Sequence, residues 1–477
     1  MSSSTQTTLA PHTQQPVVTR TYPTIPELDA AIAASSAAQK TWRKVPLSER
    51  INIGRRFMTE FDALKEPIAR ELSEQMGRPI RYTASEVRGT LERAEYMLSI
   101  APSSLADVDL SGSDKPGFHR YIRREPLGVV LVVAPWNYPY LVMINSVLPA
   151  LLAGNSVIIK PSPQTPLTAE RLLQAFTLAG LPPSVLSVLH LPPALVAHAA
   201  AHPQVNFISF TGSVAGGKAV ERAAVNAEHV GLKGVGLELG GKDPAYVRED
   251  ADLEYAVEQL VDGAMFNSGQ SCCAIERIYV HQSLYATFVR QFVELTNQYK
   301  LGSPLDPSTT LGPVVSVASA SRIRAQVAAA VQAGAKQLIP QEPFAAVAKD
   351  GTAFVAPQVL VDVNHKMDVM MEETFGPVVG IMSVSSDAEA LELMNDSPYG
   401  LTASIWTDLS SPAGQAAFDG FVEDLETGTV FANRCDYLDP ALAWTGVKDS
   451  GRGVSLSKFG FDQLTRAKSV HMKIRTS

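Results

Sequence analysis

The chain has 477 residues, 45% of them apolar and 18% charged, which is enough to bury a large core and excludes a disordered or disulfide-stapled scaffold. Forty basic against 48 acidic residues leave a net charge of −8. No Lys/Arg run is long enough to track a phosphate backbone, so nucleic acid is not an expected partner.

Residues 1–25, rich in Ser, Thr, Gln and Pro, read as a flexible, uncleaved tail without the charged and apolar regions of a secretory signal. From Pro26 to about Ser99 apolar positions recur at helical spacing, which predicts an antiparallel helical lead-in. Residues 108–126 carry turn signals at Gly112 and Lys115-Pro116-Gly117 before an alternating segment, and predict a hairpin arm. Gly128–Ala134 is a short continuous apolar run suited to a strand buried on both faces of a parallel sheet. Leu127–Leu152 is broken by Pro135, Pro139 and Pro149, so no membrane span is expected.

Strands at Ser156–Ile159, Val185–Leu189 and Val205–Phe210 then alternate with helices at Thr168–Ala179 and Val214–Ala227. From Gly241 a second series begins, with strands at Asp243–Val247, Arg277–Val280, Phe354–Leu360, Val378–Ser383 and Thr402–Trp406. The fold class expected is α/β: two doubly wound domains plus a β-hairpin arm. Residues 26–107 with 127–240 would form the dinucleotide-binding domain, 241–453 the catalytic domain, and 108–126 with 454–477 the arm and a terminal strand.

Gly212–Ala219 follows a predicted strand and nearly matches a phosphate-binding loop. Ala219 stands where Ser or Thr would hold magnesium, so a strand-to-helix turn is the better reading. No GxGxxG fingerprint is present. His198 and His202 share helical spacing but lack a third ligand, and no metal site is expected. The three cysteines, Cys272, Cys273 and Cys435, lack a paired CxxC spacing. Cys272 lies in the small-residue loop Gly269-Gln-Ser-Cys-Cys273, where free backbone N–H groups could stabilise a thiolate. Glu238 is alone among uncharged neighbours, either a base with a raised pKa or a carboxylate paired with a Lys such as Lys242.

In combination, Pro135-Trp-Asn-Tyr-Pro139, Lys160-Pro-Ser162, Phe210-Thr-Gly-Ser213, Leu237-Glu-Leu-Gly-Gly-Lys242, Gly269-Gln-Ser-Cys272 and Glu372-Glu-Thr-Phe-Gly-Pro377 resemble the aldehyde dehydrogenase superfamily over nearly the whole chain. The resemblance implies Cys272 as nucleophile, Asn137 as an oxyanion donor and Glu238 as the deacylating base. It implies cofactor contacts from Pro135, Trp136, Lys160, Ser162, Gly212, Ser213, Glu373 and Phe375. Pro163 stands where many relatives carry a ribose-binding Glu, which leaves NAD and NADP both open.

Tyr140, Leu141, Asn145 and Phe266 are the expected substrate-pocket residues, and Arg434 is a candidate for holding a substrate carboxylate. The substrate expected is a medium-sized aliphatic or aromatic aldehyde, or a semialdehyde. The alternative is a Cys-dependent esterase or thiol hydrolase that uses no nicotinamide. Exposed strand edges on the arm and tail point to a homodimer or homotetramer, and the absence of any address signal to the cytoplasm.

Overall fold

The computed structural model describes residues 4–110, 117–226 and 231–474. Its first parallel sheet is centred on Val129–Val133, buried at every position, as an aliphatic strand covered by helices on both faces must be. That strand pairs with Ser156–Lys160 on one side and Val205–Thr211 on the other; Leu186–Val188 and Gly234–Glu238 extend the two flanks. The chain builds one flank before returning to build the other. The topological switch point therefore falls between Val129–Val133 and Val205–Thr211, and a crevice opens beyond their carboxyl ends. Ala134–Asn137 and Gly212–Ser213 emerge there.

Four helices, Ile25–Trp42, Leu47–Asp62, Lys65–Met76 and Ile80–Ser104, form the lead-in. The first opens on a capping box in which Thr24 and Glu27 satisfy each other's backbone N–H groups. Behind the crevice runs Pro139–Ala153, buried at most positions and ended by Gly154 in the left-handed conformation (φ +93°).

The second sheet runs in the order Lys336–Gln337, Gln358–Val361, Val378–Val384, Ile275–His281, Asp243–Val247, Thr402–Trp406, Thr429–Ala432, parallel except at its first strand. Asp243 ties two of these strands together, its Oδ2 accepting from the Thr402 backbone N–H (3.1 Å) and hydroxyl (2.5 Å). Gly451–Arg452, which the sequence reading assigns to the second domain, crosses back and pairs antiparallel with Leu237 and Glu238 in the first sheet. The arm consists of Phe118–Pro126 paired along its length with Thr465–Lys473, with Val108–Asp109 on its other edge. The expected turn at Gly112 and Lys115-Pro116, and Ala227 at the end of a predicted helix, lie outside the described residues.

The expected flexible tail is corrected. Thr5–Leu9 and Pro16–Thr21 form an antiparallel hairpin. Thr8 donates to the Pro163 carbonyl (2.7 Å), and Arg20 reaches Glu170 through both Nε and Nη2 (2.7 Å each). These partners are some 150 residues away, so no local pattern announces them. Among the described residues, no helix is long and apolar enough to cross a membrane.

Candidate active site

Cys272 follows a strained approach. Asn267 and Ser268 both adopt left-handed backbone (φ 52° and 58°), and Gly269 continues it at φ +68°. A Cβ at Gly269 would fall 2.1 Å from the Gly376 carbonyl oxygen, so only glycine fits. Gln270 locks the turn: its Oε1 accepts from Val315 N (2.7 Å) and its Nε2 donates to Asn267 O (3.0 Å). A Cβ at Gly241 would lie 2.2 Å from the Cys272 carbonyl, so the Gly240-Gly241 turn is what lets the thiol loop settle against the first sheet.

The two thiols in this loop differ. Cys272 is partly exposed, whereas Cys273 is buried and donates to Asp436 Oδ1 (3.0 Å), which also accepts from Ser271 Oγ (2.8 Å). Contact with the Cys272 thiol and burial push the Cys273 pKa well above the usual thiol range. Cys273 therefore stays protonated, and Cys272 is the more accessible of the two sulfurs in the cleft.

Glu238 ends the strand Gly234–Glu238. Its Oε1 accepts from Ser455 Oγ (2.5 Å) and its Oε2 from Thr211 Oγ1 (3.3 Å). Burial raises its pKa; the two hydroxyls and the Arg93 charge oppose that rise. The alternative pairing with Lys242 is not what forms: Lys242 is buried against Glu276 and donates to Thr374 Oγ1 (2.9 Å). Glu276 in turn accepts from the backbone N–H groups of Thr374 (2.8 Å) and Phe375 (2.9 Å), while Arg322 holds the Glu373 and Thr374 carbonyls. The buried Lys242–Glu276 pair thus fixes the turn that carries Glu373 and Phe375.

Asn137 is held from behind. Arg78, in a buried ion pair with Glu86, donates to the Asn137 carbonyl (2.5 Å) and to Asn267 Oδ1 (3.1 Å). Glu86 Oε1 also accepts from Tyr140 N (2.9 Å), capping the helix Pro139–Ala153. The Asn137 Nδ2 donates one hydrogen bond, to the Gln270 carbonyl (3.2 Å), and keeps a second N–H for another acceptor.

Cys272, Glu238 and Asn137 line one cleft of about 870 Å³ at the switch point of the first sheet. Leu141 and Phe266 line it too, as do Pro135, Trp136, Lys160, Ser162, Gly212, Ser213, Glu373 and Phe375. Trp136 and Phe375 meet edge to face, ring centroids 5.5 Å apart. Lys160 Nζ has no partner among the described residues, and burial lowers its pKa to about 8. Ser213 caps the helix Val214–Val225, its Oγ accepting from Gly216 N (3.2 Å). A Cβ at Gly216 would lie 2.8 Å from the Phe210 ring, the close packing that explains the glycines of the near-miss phosphate loop. Glu373 Oε1 accepts from Gly241 N (3.0 Å), and burial lifts its pKa to about 7.

Three expected substrate contacts are corrected. Tyr140 is completely buried and packs edge-on against Phe61, because the Glu86 cap turns the first helical residues inward. Asn145 is buried behind Arg93, whose Nη1 donates to Asn145 Oδ1 (3.2 Å). Arg434 is exposed and stacks on Tyr437, 3.4 Å from the ring centroid, beside a smaller recess outside the main cleft. Sequence reasoning missed Arg78, Glu86, Arg93, Ser455 and Glu276; each acts across 34 or more residues or from an unremarkable helix face. Thr211, next to the Gly212-Ser213 turn, was the one visible signal. Among the described residues, no group of three or more ligating side chains could hold a metal ion, and His198 is paired with Asp29 (2.7 Å).

A family model described as the aldehyde dehydrogenase family matches residues 1–470. The chain is 33% identical over 465 residues to a succinate-semialdehyde dehydrogenase [NADP(+)] from Mycobacterium avium, covering 97% of this chain and 96% of that one. It is 33% identical to lactaldehyde dehydrogenase from Escherichia coli, over 93% of this chain and 90% of that one. Among solved structures, betaine aldehyde dehydrogenase from Staphylococcus aureus in complex with NAD+ superposes with a TM-score of 0.91 at 28% identity, covering 99% of this chain and 92% of that one.

Proposed function

The chain belongs to the aldehyde dehydrogenase family, and from that premise we propose that it oxidises an aldehyde to its carboxylic acid with NAD+ or NADP+ through a covalent adduct on Cys272. The observation that carries the reading is that Cys272, Glu238 and Asn137 line one cleft together with Lys160, Ser162, Ser213 and Glu373.

Those residues fit a dinucleotide. Lys160 is a half-buried cation without a partner among the described residues, the capped helix at Val214 presents free N–H groups suited to pyrophosphate, and Glu373 keeps one carboxylate oxygen for ribose hydroxyls. Pro163 places no carboxylate here that would repel a 2′-phosphate, so both nicotinamides are expected to serve. The NADP(+) designation of the Mycobacterium avium relative and the NAD+ complex of the Staphylococcus aureus enzyme support that breadth. When bound, the oxidised nicotinamide supplies the hydride acceptor.

The protein's own part begins with the Cys272 sulfur, which attacks the carbonyl carbon. The free N–H of Asn137 and the Cys272 backbone N–H stabilise the oxygen as it becomes negative. After hydride loss the acyl group remains on Cys272 as a thioester. Glu238, with its pKa raised by burial, removes a proton from the water that attacks the thioester, and the acid leaves as the Cys272 thiolate is regenerated. The cleft's size and the Leu141 and Phe266 side chains suit a small to medium aldehyde. Assembly as a homodimer or homotetramer through the arm, and residence in the cytoplasm, belong to the same proposal; the long Thr465–Lys473 strand, which pairs with Phe118–Pro126 and is the outer strand of the three-stranded arm, supports the first.

The test is reduced-nicotinamide formation by the purified protein with NAD+ and NADP+ separately, across short, aromatic and carboxylated aldehydes. Reduction that vanishes in Cys272→Ala supports the reading. Ester hydrolysis without any nicotinamide, and no aldehyde oxidation, would instead identify a thiol hydrolase.

A further inference from the structure

Arg93 is 7% exposed, projects from the helix Ile80–Ser104, and lines the cleft that contains Cys272. Its Nη1 donates to Leu141 O (2.9 Å) and Asn145 Oδ1 (3.2 Å), which fix the guanidinium plane. Among the described residues its Nε and Nη2 form no hydrogen bond and, unlike Asn145 Nδ2, which is enclosed and unsatisfied on a side chain 2% exposed, they are open to the cleft. Spare donors of a fixed guanidinium that face a cleft are placed to bond an occupant that accepts from them.

The carboxylates around it are occupied elsewhere. Glu86 is committed to Arg78 and the Tyr140 backbone, Glu238 to Ser455 and Thr211, and Asp436 to Ser271 and Cys273. Glu92 accepts from Tyr437 (3.4 Å) at the exposed mouth, and neither Asp262 nor Arg88, which also line the cleft, bonds to Arg93. The unmet donors therefore belong to a cleft occupant that only accepts. A carboxylate matches the planar fork best, because two parallel N–H···O bonds can form at once.

We propose that Arg93 is the specificity-determining residue of the substrate end of the cleft, held in place by Asn145, and that the preferred substrate is an aldehyde whose far end is a carboxylate. The proposal rests on the aldehyde oxidation described above. It also moves the carboxylate-binding role from Arg434, which stacks outside the main cleft, to a residue inside it.

The experiment compares kcat/KM for succinate semialdehyde and for butanal, in the wild type and in Arg93→Met and Arg93→Lys. The expected result is a carboxylated-to-neutral preference that falls roughly 10- to 100-fold in Arg93→Met, chiefly through KM, as loss of hydrogen bonds to a charged group predicts. Arg93→Lys should restore part of it. An unchanged preference ratio, with both substrates losing equally and the acid limb of the pH profile moved, would overturn the proposal by showing that Arg93 acts through Glu238; aldehyde oxidation itself would stand. Because a buried arginine variant can misfold, the wild type supplies a second reading: succinate should inhibit butanal oxidation at least about tenfold more tightly than butyrate does. Equal inhibition overturns the proposal without any variant. Failure of the wild type to oxidise either aldehyde, or any other, removes the underlying reaction and this inference with it.

Discussion

Ser455→Ala tests whether Glu238 works as the base and how its environment tunes it. The Ser455 hydroxyl donates to Glu238 Oε1 at 2.5 Å, and it is the strongest influence holding the carboxyl down against burial; Thr211 at 3.3 Å and the Arg93 charge contribute less. A hydrogen bond to a charged group is worth roughly 1.5–3 kcal/mol, and one pKa unit corresponds to about 1.36 kcal/mol. The neutral acid also keeps some of that bond, so the lower end applies, an upward shift of about one pH unit. A general base acts when ionised. Loss of a donor to its ionised form therefore raises its pKa, and the acid limb of kcat moves to higher pH while the alkaline plateau is regained. The assay is the pH profile of steady-state turnover, together with single-turnover thioester hydrolysis to isolate deacylation. An acid limb that stays in place while the plateau falls would refute the reasoning, because Ser455 would then be structural and the titrating group would not be Glu238.

Glu238→Gln should slow deacylation by roughly 10²- to 10⁴-fold while leaving formation of the adduct, so rapid mixing should show a burst of reduced nicotinamide followed by near-arrest; a steady rate without a burst would place the base elsewhere. Arg78→Met strands Glu86 in the core and should destabilise the first domain by about 3–5 kcal/mol, seen as a lower denaturation midpoint, whereas an unchanged midpoint would mean that the pair is dispensable. Lys160 is charged below its pKa of about 8 and neutral above it, so cofactor affinity should weaken as pH rises through that value, measured by titration calorimetry; Lys160→Met should bind weakly with a flat profile, and a flat wild-type profile would exclude the ammonium from binding.

The strands and the chemistry-bearing loops were legible because their signals are local. Val129–Val133 is buried on both faces, and a run of valines says so without reference to any other segment. Cys272, Glu238 and Asn137 stand in short motifs, and the structure brings all three to one cleft. The glycines around them have equally direct reasons: a side chain at Gly241 or Gly269 would collide with backbone.

What only tertiary structure decided is which polar group meets which. Lys242 pairs with Glu276 rather than Glu238, Tyr140 turns into the core rather than the cleft, and Arg93 rather than Arg434 lines the main cleft. The N-terminal segment looks like a tail because its strand partners and the Pro163 and Glu170 contacts that dock it are supplied by pairing, not by hydrophobic periodicity. An apolar period reports burial of a face, which one element carries alone. A hydrogen bond or ion pair depends on two side chains brought together from distant points in the chain, and the sequence of either partner contains nothing about the other.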